Sequence, residues 1–271
     1  LGGVSVMSTT ATENLRDLIR TEVVEKRSRF LITGGEGTGK STFVSHFPKP
    51  FGILARGETG YDTLRSAGLV PQVDTAPEVF TFKELEAWIQ YLHDEDHDYE
   101  WLFIDGLGSV ERMFVEDVIA KHYKNADDFH DFGRGWKRGG PSWDAFLGSL
   151  DRLREDRDMG ICLVAHSHAT MFNNPKGEDY HRWTPDLTNT PLNITVRWAD
   201  AVLFFDFVDT VSKVGRKAKG VGGNKRVMYT QRTAAYVAKE RHGLPEIINL
   251  GSNGKEGFDN FINALIEGKK I

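Results

Sequence analysis

Gly34-Gly35-Glu36-Gly37-Thr38-Gly39-Lys40-Ser41 matches the phosphate-binding loop pattern GxxxxGK[ST] in full. An apolar, strand-like run, Phe30-Leu31-Ile32-Thr33, precedes it, and a helix-like segment, Ser41-Thr42-Phe43-Val44-Ser45-His46-Phe47, follows. Strand, loop and helix in that order are the context the motif requires. Glycines let successive backbone N–H groups turn onto phosphate oxygens with no side chain in the way, and the helix adds its positive N-terminal end. The pattern places Lys40 on the β- and γ-phosphates and the Ser41 hydroxyl on Mg²⁺. A nucleoside triphosphate site is therefore expected on Gly34, Gly35, Glu36, Gly37, Thr38, Gly39, Lys40, Ser41 and Thr42.

Outward from the loop, several short apolar runs each end in a polar residue suited to nucleotide chemistry. Phe51–Ala55 leads through Arg56 and Gly57 to Glu58, Trp101–Ile104 ends in Asp105, Ile161–Ala165 in His166, and Ala201–Phe205 in Asp206. Runs that are apolar at every position read as strands buried on both faces. Helix-like segments at Thr81–His93, Gly108–His122 and Pro141–Asp156 alternate with them. The expected fold is α/β, a mostly parallel central sheet flanked by helices, with ligands at the carboxyl ends of the strands. Lys225–Gln231 and Ala234–Lys239 are candidate strands of a C-terminal β-hairpin, and Gly257–Ile266 reads as a closing helix. Leu15, Leu18, Ile19 and Val23 are spaced as on a helix over Thr12–Arg27. Residues 1–27 thus read as an extension and helix, and 28–271 as one domain with its C-terminal helix.

A chain of 271 residues accommodates one large α/β domain or two small ones, and 39% hydrophobic with 27% charged residues is ordinary soluble composition. The net charge of −5 excludes a generally basic surface, so any nucleic-acid contact must come from local patches. The single cysteine, Cys162, has no partner for an internal disulfide and reads as a small core residue. No apolar stretch reaches the length of a membrane span and no signal-peptide pattern is present. Those readings give a cytoplasmic protein with no membrane partner, Met7 as a natural start and Leu1–Val6 as an upstream extension.

Asp105 is the expected second-motif acid, holding Mg²⁺ with Ser41. Glu58 is either the carboxylate that polarises the attacking water or an ordinary turn residue. His166 stands where a side chain would bond the γ-phosphate and report it to the following loop. His166 with His168, and the cluster His93–Asp98, lack the partners a metal site needs and read otherwise. Phe129–Trp143 interleaves aromatics with Arg134, Lys137 and Arg138. Val211–Met228 carries Lys213, Arg216, Lys217, Lys219, Lys225 and Arg226 with no acid. Each is either a single-stranded nucleic-acid contact or a solvated loop. His168–Asn193 reads as a long polar loop, a length more often functional than idle.

In this order of motifs, together with FPKPFGILARGETGYDTLR (47–65), FIDGLGSVER (103–112), LVAHSHATMF (163–172) and AYVAKERHGLPEII (235–248), the chain resembles the RecA-like P-loop ATPases. Among them the closer likeness is to phage-type nucleotide-binding proteins of the Sak group, RecA-like single-strand annealing proteins. The resemblance covers roughly residues 28–250. It implies ATP with Mg²⁺, Glu58 as catalytic glutamate, His166 as γ-phosphate sensor, and DNA contacts from loops 129–143 and 167–193, with 211–228 beside them. It further implies a homo-oligomer with ATP at subunit interfaces, Lys239 and Arg241 being the paired cations that reach a neighbour's site. Gly106, where Ser is common, and Arg56 near Glu58 are departures that point to slow hydrolysis. A non-hydrolysing assembly module and a P-loop kinase are the competing readings.

Overall fold

The apolar runs lie side by side in one sheet. The computed structural model describes residues 26–130, 134–214 and 217–268. Its strands are β1 (Arg29–Gly34), β2 (Pro50–Leu54), β3 (Asp74–Thr75), β4 (Trp101–Asp105), β5 (Gly160–Phe172), β6 (Tyr180–Pro185), β7 (Ala201–Val214), β8 (Lys217–Tyr229) and β9 (Ile247–Asn249). The order across the sheet is β3-β2-β4-β5-β1-β7-β8-β9, with β6 paired to β5 off that path. From β3 to β7 all pairs are parallel, and β8 and β9 close one edge antiparallel. The helices are α1 (Lys40–Val44), α2 (Gly60–Ser66), α3 (Phe82–Asp94), α4 (Leu107–His122), α5 (Ala126–His130), α6 (Arg134–Asp156), α7 (Asn189–Trp198) and α8 (Gly254–Gly268). Leu1–Val6 and nearly all of the expected helix Thr12–Arg27 lie outside the described residues.

Alternate strand residues feed two separate cores, which is why the runs carry no polar face. Leu31, Leu102, Ile104, Ile161 and Leu163 join Phe82, Leu85, Ile89, Val110 and Leu150 of α3, α4 and α6. Phe30, Ile32, Phe103, Cys162 and Val164 join Phe43 of α1 and Phe258 and Phe261 of α8 on the opposite face. Side chains that alternate across a strand account for the split. A capping box starts α3: Thr81 Oγ1 accepts from the Glu84 N–H at 3.2 Å, and Glu84 returns a bond to the Thr81 N–H at 3.1 Å. Such a cap stabilises a helix by about 1 kcal/mol.

Three stretches expected as loops are ordered elements instead. Residues 134–143 belong to α6, whose helix runs through Pro141. Phe129 and Trp143 are buried, and Trp136 stacks on Phe114 at 6.0 Å. These aromatics are core, so they are not free to stack on bases. Residues 168–193 form the rest of β5, the antiparallel strand β6 and the start of α7. Residues 211–214 and 217–228 belong to the antiparallel β7–β8 arm; Arg216 lies outside the described residues, as do the side chains of Lys213, Lys217 and Lys219. Ala234–Lys239 is not a full strand: it makes isolated bridges, Tyr236 to Trp183 and Lys239 to Val202.

Trp143 is fully buried, its Nε1 donating to Thr195 Oγ1 at 3.0 Å with the Phe114 and Phe146 rings 5.2 Å away. Trp143→Ala is expected to lower the unfolding free energy by about 3–5 kcal/mol, read from a urea titration. Replacing the exposed Lys137 and Arg138 of the same helix should change it by about 0.5 kcal/mol or less. Equal effects from the core and surface replacements would contradict this packing.

Candidate functional site

The loop between β1 and α1 needs left-handed backbone at Gly37 (φ 71°) and Gly39 (φ 94°), a conformation that glycine adopts without steric cost. Thr38 Oγ1 donates to the Gly35 carbonyl at 2.8 Å and braces the turn. Lys40 is buried in it, its Nζ donating to the carbonyls of Gly34 (3.0 Å) and Gly35 (2.7 Å). Burial holds the Lys40 ammonium below its usual pKa range, and the charges of Asp105, Glu58 and Glu36 oppose that shift.

Ser41, at the start of α1, donates its hydroxyl to Asp105 Oδ2 at 2.6 Å. Asp105 ends β4 and is buried, which pushes its carboxyl pKa up against the Ser41 bond and the Lys40 charge. A hydroxyl and a carboxylate oxygen this close form an oxygen donor set of the kind Mg²⁺ takes alongside phosphate oxygens.

Glu58 follows β2 and His166 lies in β5, and their side chains meet: Nε2 to Oε2 is 3.7 Å. Ser109 of α4 donates to Glu58 Oε1 at 3.4 Å and itself accepts from Arg112 Nη2 at 2.6 Å. The His166 contact lowers the Glu58 pKa, and the Glu58 contact raises that of His166. A Cβ built on Gly106 would lie 2.6 Å from Glu58 Oε1, so a serine after Asp105 would require the Glu58 carboxylate to shift. Arg56, two residues from Glu58, turns away to an ion pair with Glu116 on α4.

These side chains share one cavity of about 470 Å³, whose walls include Lys40, Ser41, Glu58, Asp105, His166 and Arg226. That volume suits a nucleotide. The arrangement can hold a polyphosphate in the loop, a divalent cation at Ser41 and Asp105, and a water against Glu58. Lys239 and Arg241 lie elsewhere. Lys239 does not project outward: its Nζ donates to the carbonyls of Val196, Arg197 and Ala199 at the end of α7. Arg241 is exposed. Sequence reasoning counted Arg226 with a basic stretch aimed at nucleic acid, whereas the side chain reaches the phosphate loop. Only the register of β8 separates it from its neighbour Lys225.

His166 and Glu58 hold each other charged over a defined pH window. The raised His166 pKa supports the pair fully below about 6.5 and loses it as pH rises through the folded value. The lowered Glu58 pKa supports it above about 4.3 and loses it as pH falls through the folded value. In Glu58→Gln the His166 midpoint, followed by its ring proton resonance, should move down relative to the wild type. An unmoved midpoint would show that the two side chains are not coupled.

A family model described as an AAA domain matches residues 26–242. No curated protein matches the chain. The matched span contains β1 through β8 and every residue lining the cavity. The chain belongs to the AAA domain family, and so to the nucleotide-binding P-loop ATPases.

Proposed function

We propose that the chain binds ATP with Mg²⁺ in this cavity, hydrolyses it slowly, and acts as a homo-oligomer on single-stranded DNA, as in phage recombination or strand annealing of the Sak type. Lys40 neutralises the β- and γ-phosphates, while Ser41 and Asp105 hold the cation. Glu58 takes the proton of a water that attacks the γ-phosphorus, releasing ADP and phosphate. His166 senses the γ-phosphate. Arg241 is the cation offered to a neighbouring subunit, and Lys239 positions that segment by capping α7.

The observation that carries the reading is the continuity of β5. His166 stands in the cavity, and the same strand runs on to Phe172 and returns as β6. The Asp186 N–H, just past β6, donates to the His166 carbonyl at 2.7 Å, clasping the hairpin's base beside the sensor. The hairpin exposes Met171 (56%) and Trp183 (40%), and the Arg182 guanidinium lies 4.3 Å from the Phe172 ring centroid. Arg182 and Arg232 line one cleft beside it. Aromatic faces beside cations suit stacked bases and their phosphates. No helix among the described residues is long and apolar enough to cross a membrane.

ATP titration should show binding lost in Lys40→Ala and retained in Glu58→Gln, with turnover in the latter down about 10²–10⁴-fold. Single-stranded DNA should stimulate the wild-type rate. Trp183→Ala should weaken DNA binding by about 1–3 kcal/mol, whereas neutralising Arg182 and Arg232 should flatten the dependence of affinity on salt. ATP binding without turnover or DNA affinity at low salt would replace this reading with an assembly module. Subunits carrying Arg241→Ala, mixed with Lys40→Ala subunits, should recover part of the lost ATPase; no recovery would remove Arg241 from the interface.

A further inference from the structure

Arg226 sits opposite Phe207 in the β7–β8 ladder, and its carbonyl accepts from the Leu250 N–H at 3.0 Å. Both strand neighbours therefore fix where its side chain starts. That side chain reaches the phosphate loop. A Cβ built on Gly39 would lie 2.6 Å from Arg226 Nη1 and 3.6 Å from its Cζ. The guanidinium thus packs on the bare α-carbon of the residue preceding Lys40, and it forms the cavity wall with Lys40, Ser41 and Thr42.

Several arginines of this molecule are engaged by acids or carbonyls. Arg29 holds Asp200 and Asp151, Arg56 holds Glu116, and Arg157 donates to the Glu95 carbonyl. Among the described residues, no side-chain hydrogen bond or ion pair engages the Arg226 guanidinium. Two cations, Arg226 and Lys40, face one cavity, whose acids are Glu36 of the loop itself, Glu58 just past β2 and Asp105 at the end of β4. The sheet order puts β2 and β4, and with them Glu58 and Asp105, on the far side of β1 from β8. Such a pairing of cations is favourable when an anion lies between them.

We propose that Arg226 is a phosphate-binding residue acting in cis, its planar fork held on the α- and β-phosphate oxygens of the bound nucleotide. The γ-phosphate belongs beside Glu58 and His166, where water is activated, so a cation across β1 is left with the inner phosphates. A guanidinium matches two phosphate oxygens at once, which an ammonium cannot do. The inference rests on the reading of the cavity as an ATP site. It also withdraws Arg226 from the basic stretch read as a nucleic-acid contact.

The test is a titration of ADP and of ATP, each with Mg²⁺, into wild type, Lys40→Ala, Arg226→Gln and Arg226→Lys, with circular dichroism and thermal unfolding as folding controls. Arg226→Gln should weaken both nucleotides by a similar factor, about 10- to 100-fold, the range for losing a hydrogen bond to a charged group. Arg226→Lys should recover part of the loss. The unfolding midpoint without nucleotide should not move, because among the described residues no hydrogen bond or ion pair holds the guanidinium. Wild type that binds neither nucleotide would sink the ATP reading itself. Wild-type affinity in Arg226→Gln, with Lys40→Ala defective, would overturn the Arg226 inference alone. Weakening confined to ATP would move the contact to the γ-phosphate and overturn the inner-phosphate assignment.

Discussion

Parallel strands cannot be joined by tight turns, and this constraint places the site. Each strand must leave the sheet at its carboxyl end, cross a face as a helix and re-enter at the other end, so all the carboxyl ends gather on one edge. The ladder then aligns them residue by residue. Gly34 stands opposite His166, Leu54 opposite Asp105, and Asp105 opposite Val164. Glu58 needs only the short turn after β2 to reach this line. A slip of one residue between β4 and β5 would exchange Asp105 for an apolar neighbour and also turn both cores inside out. The demand for a dry interior therefore sets the register on which the cavity's geometry rests.

Within that edge, charge is arranged by what surrounds each group. Lys40 is taken out of water but surrounded by loop carbonyls and three nearby acids. Asp105 is taken out of water as well, against a hydroxyl and an ammonium. Glu58 keeps its charge because His166 and Ser109 face it. Two carboxylates in one cavity thus have their pKa values driven in opposite directions. The same logic extends to Glu111, a buried carboxylate of α4 that accepts from the N–H and hydroxyl of Thr188 and ties the entry to α7 onto α4.

Much of this was legible in the sequence, because the decisive signals are local. The phosphate loop is contiguous, the buried strands are unbroken apolar runs, and the helix-like segment Thr81–His93 announces α3. What was misread depended on distant contacts. Gly135, Gly139, Gly140 and Pro141 argue against a helix, yet burial of Trp143 and Phe146 against α3 and α4 outweighs their low propensity. α7 is rich in β-branched residues, Thr190, Ile194, Thr195 and Val196, and begins beside Pro191, so its helical spacing was hidden. β6 is polar along Tyr180–Arg182 because it pairs with β5 outside the main path of the sheet. Arg226 and Lys225 are adjacent cations in the sequence, and only the pairing of β8 with β7 and β9 decides which one faces the loop. For Lys239 the sequence revealed the charge but not the three carbonyls that hold it.

The contact between Gly106 and Glu58 has a consequence for how this sequence can vary. Position 106 has no room for a β-carbon while the glutamate keeps its present seat. A serine after the strand-end aspartate would push the Glu58 carboxylate, the far end of a flexible side chain, out of that seat. The geometry at 106 and at 58 is therefore coupled: a side chain introduced at the first position moves the acid at the second, and with it whatever that acid faces in the cavity.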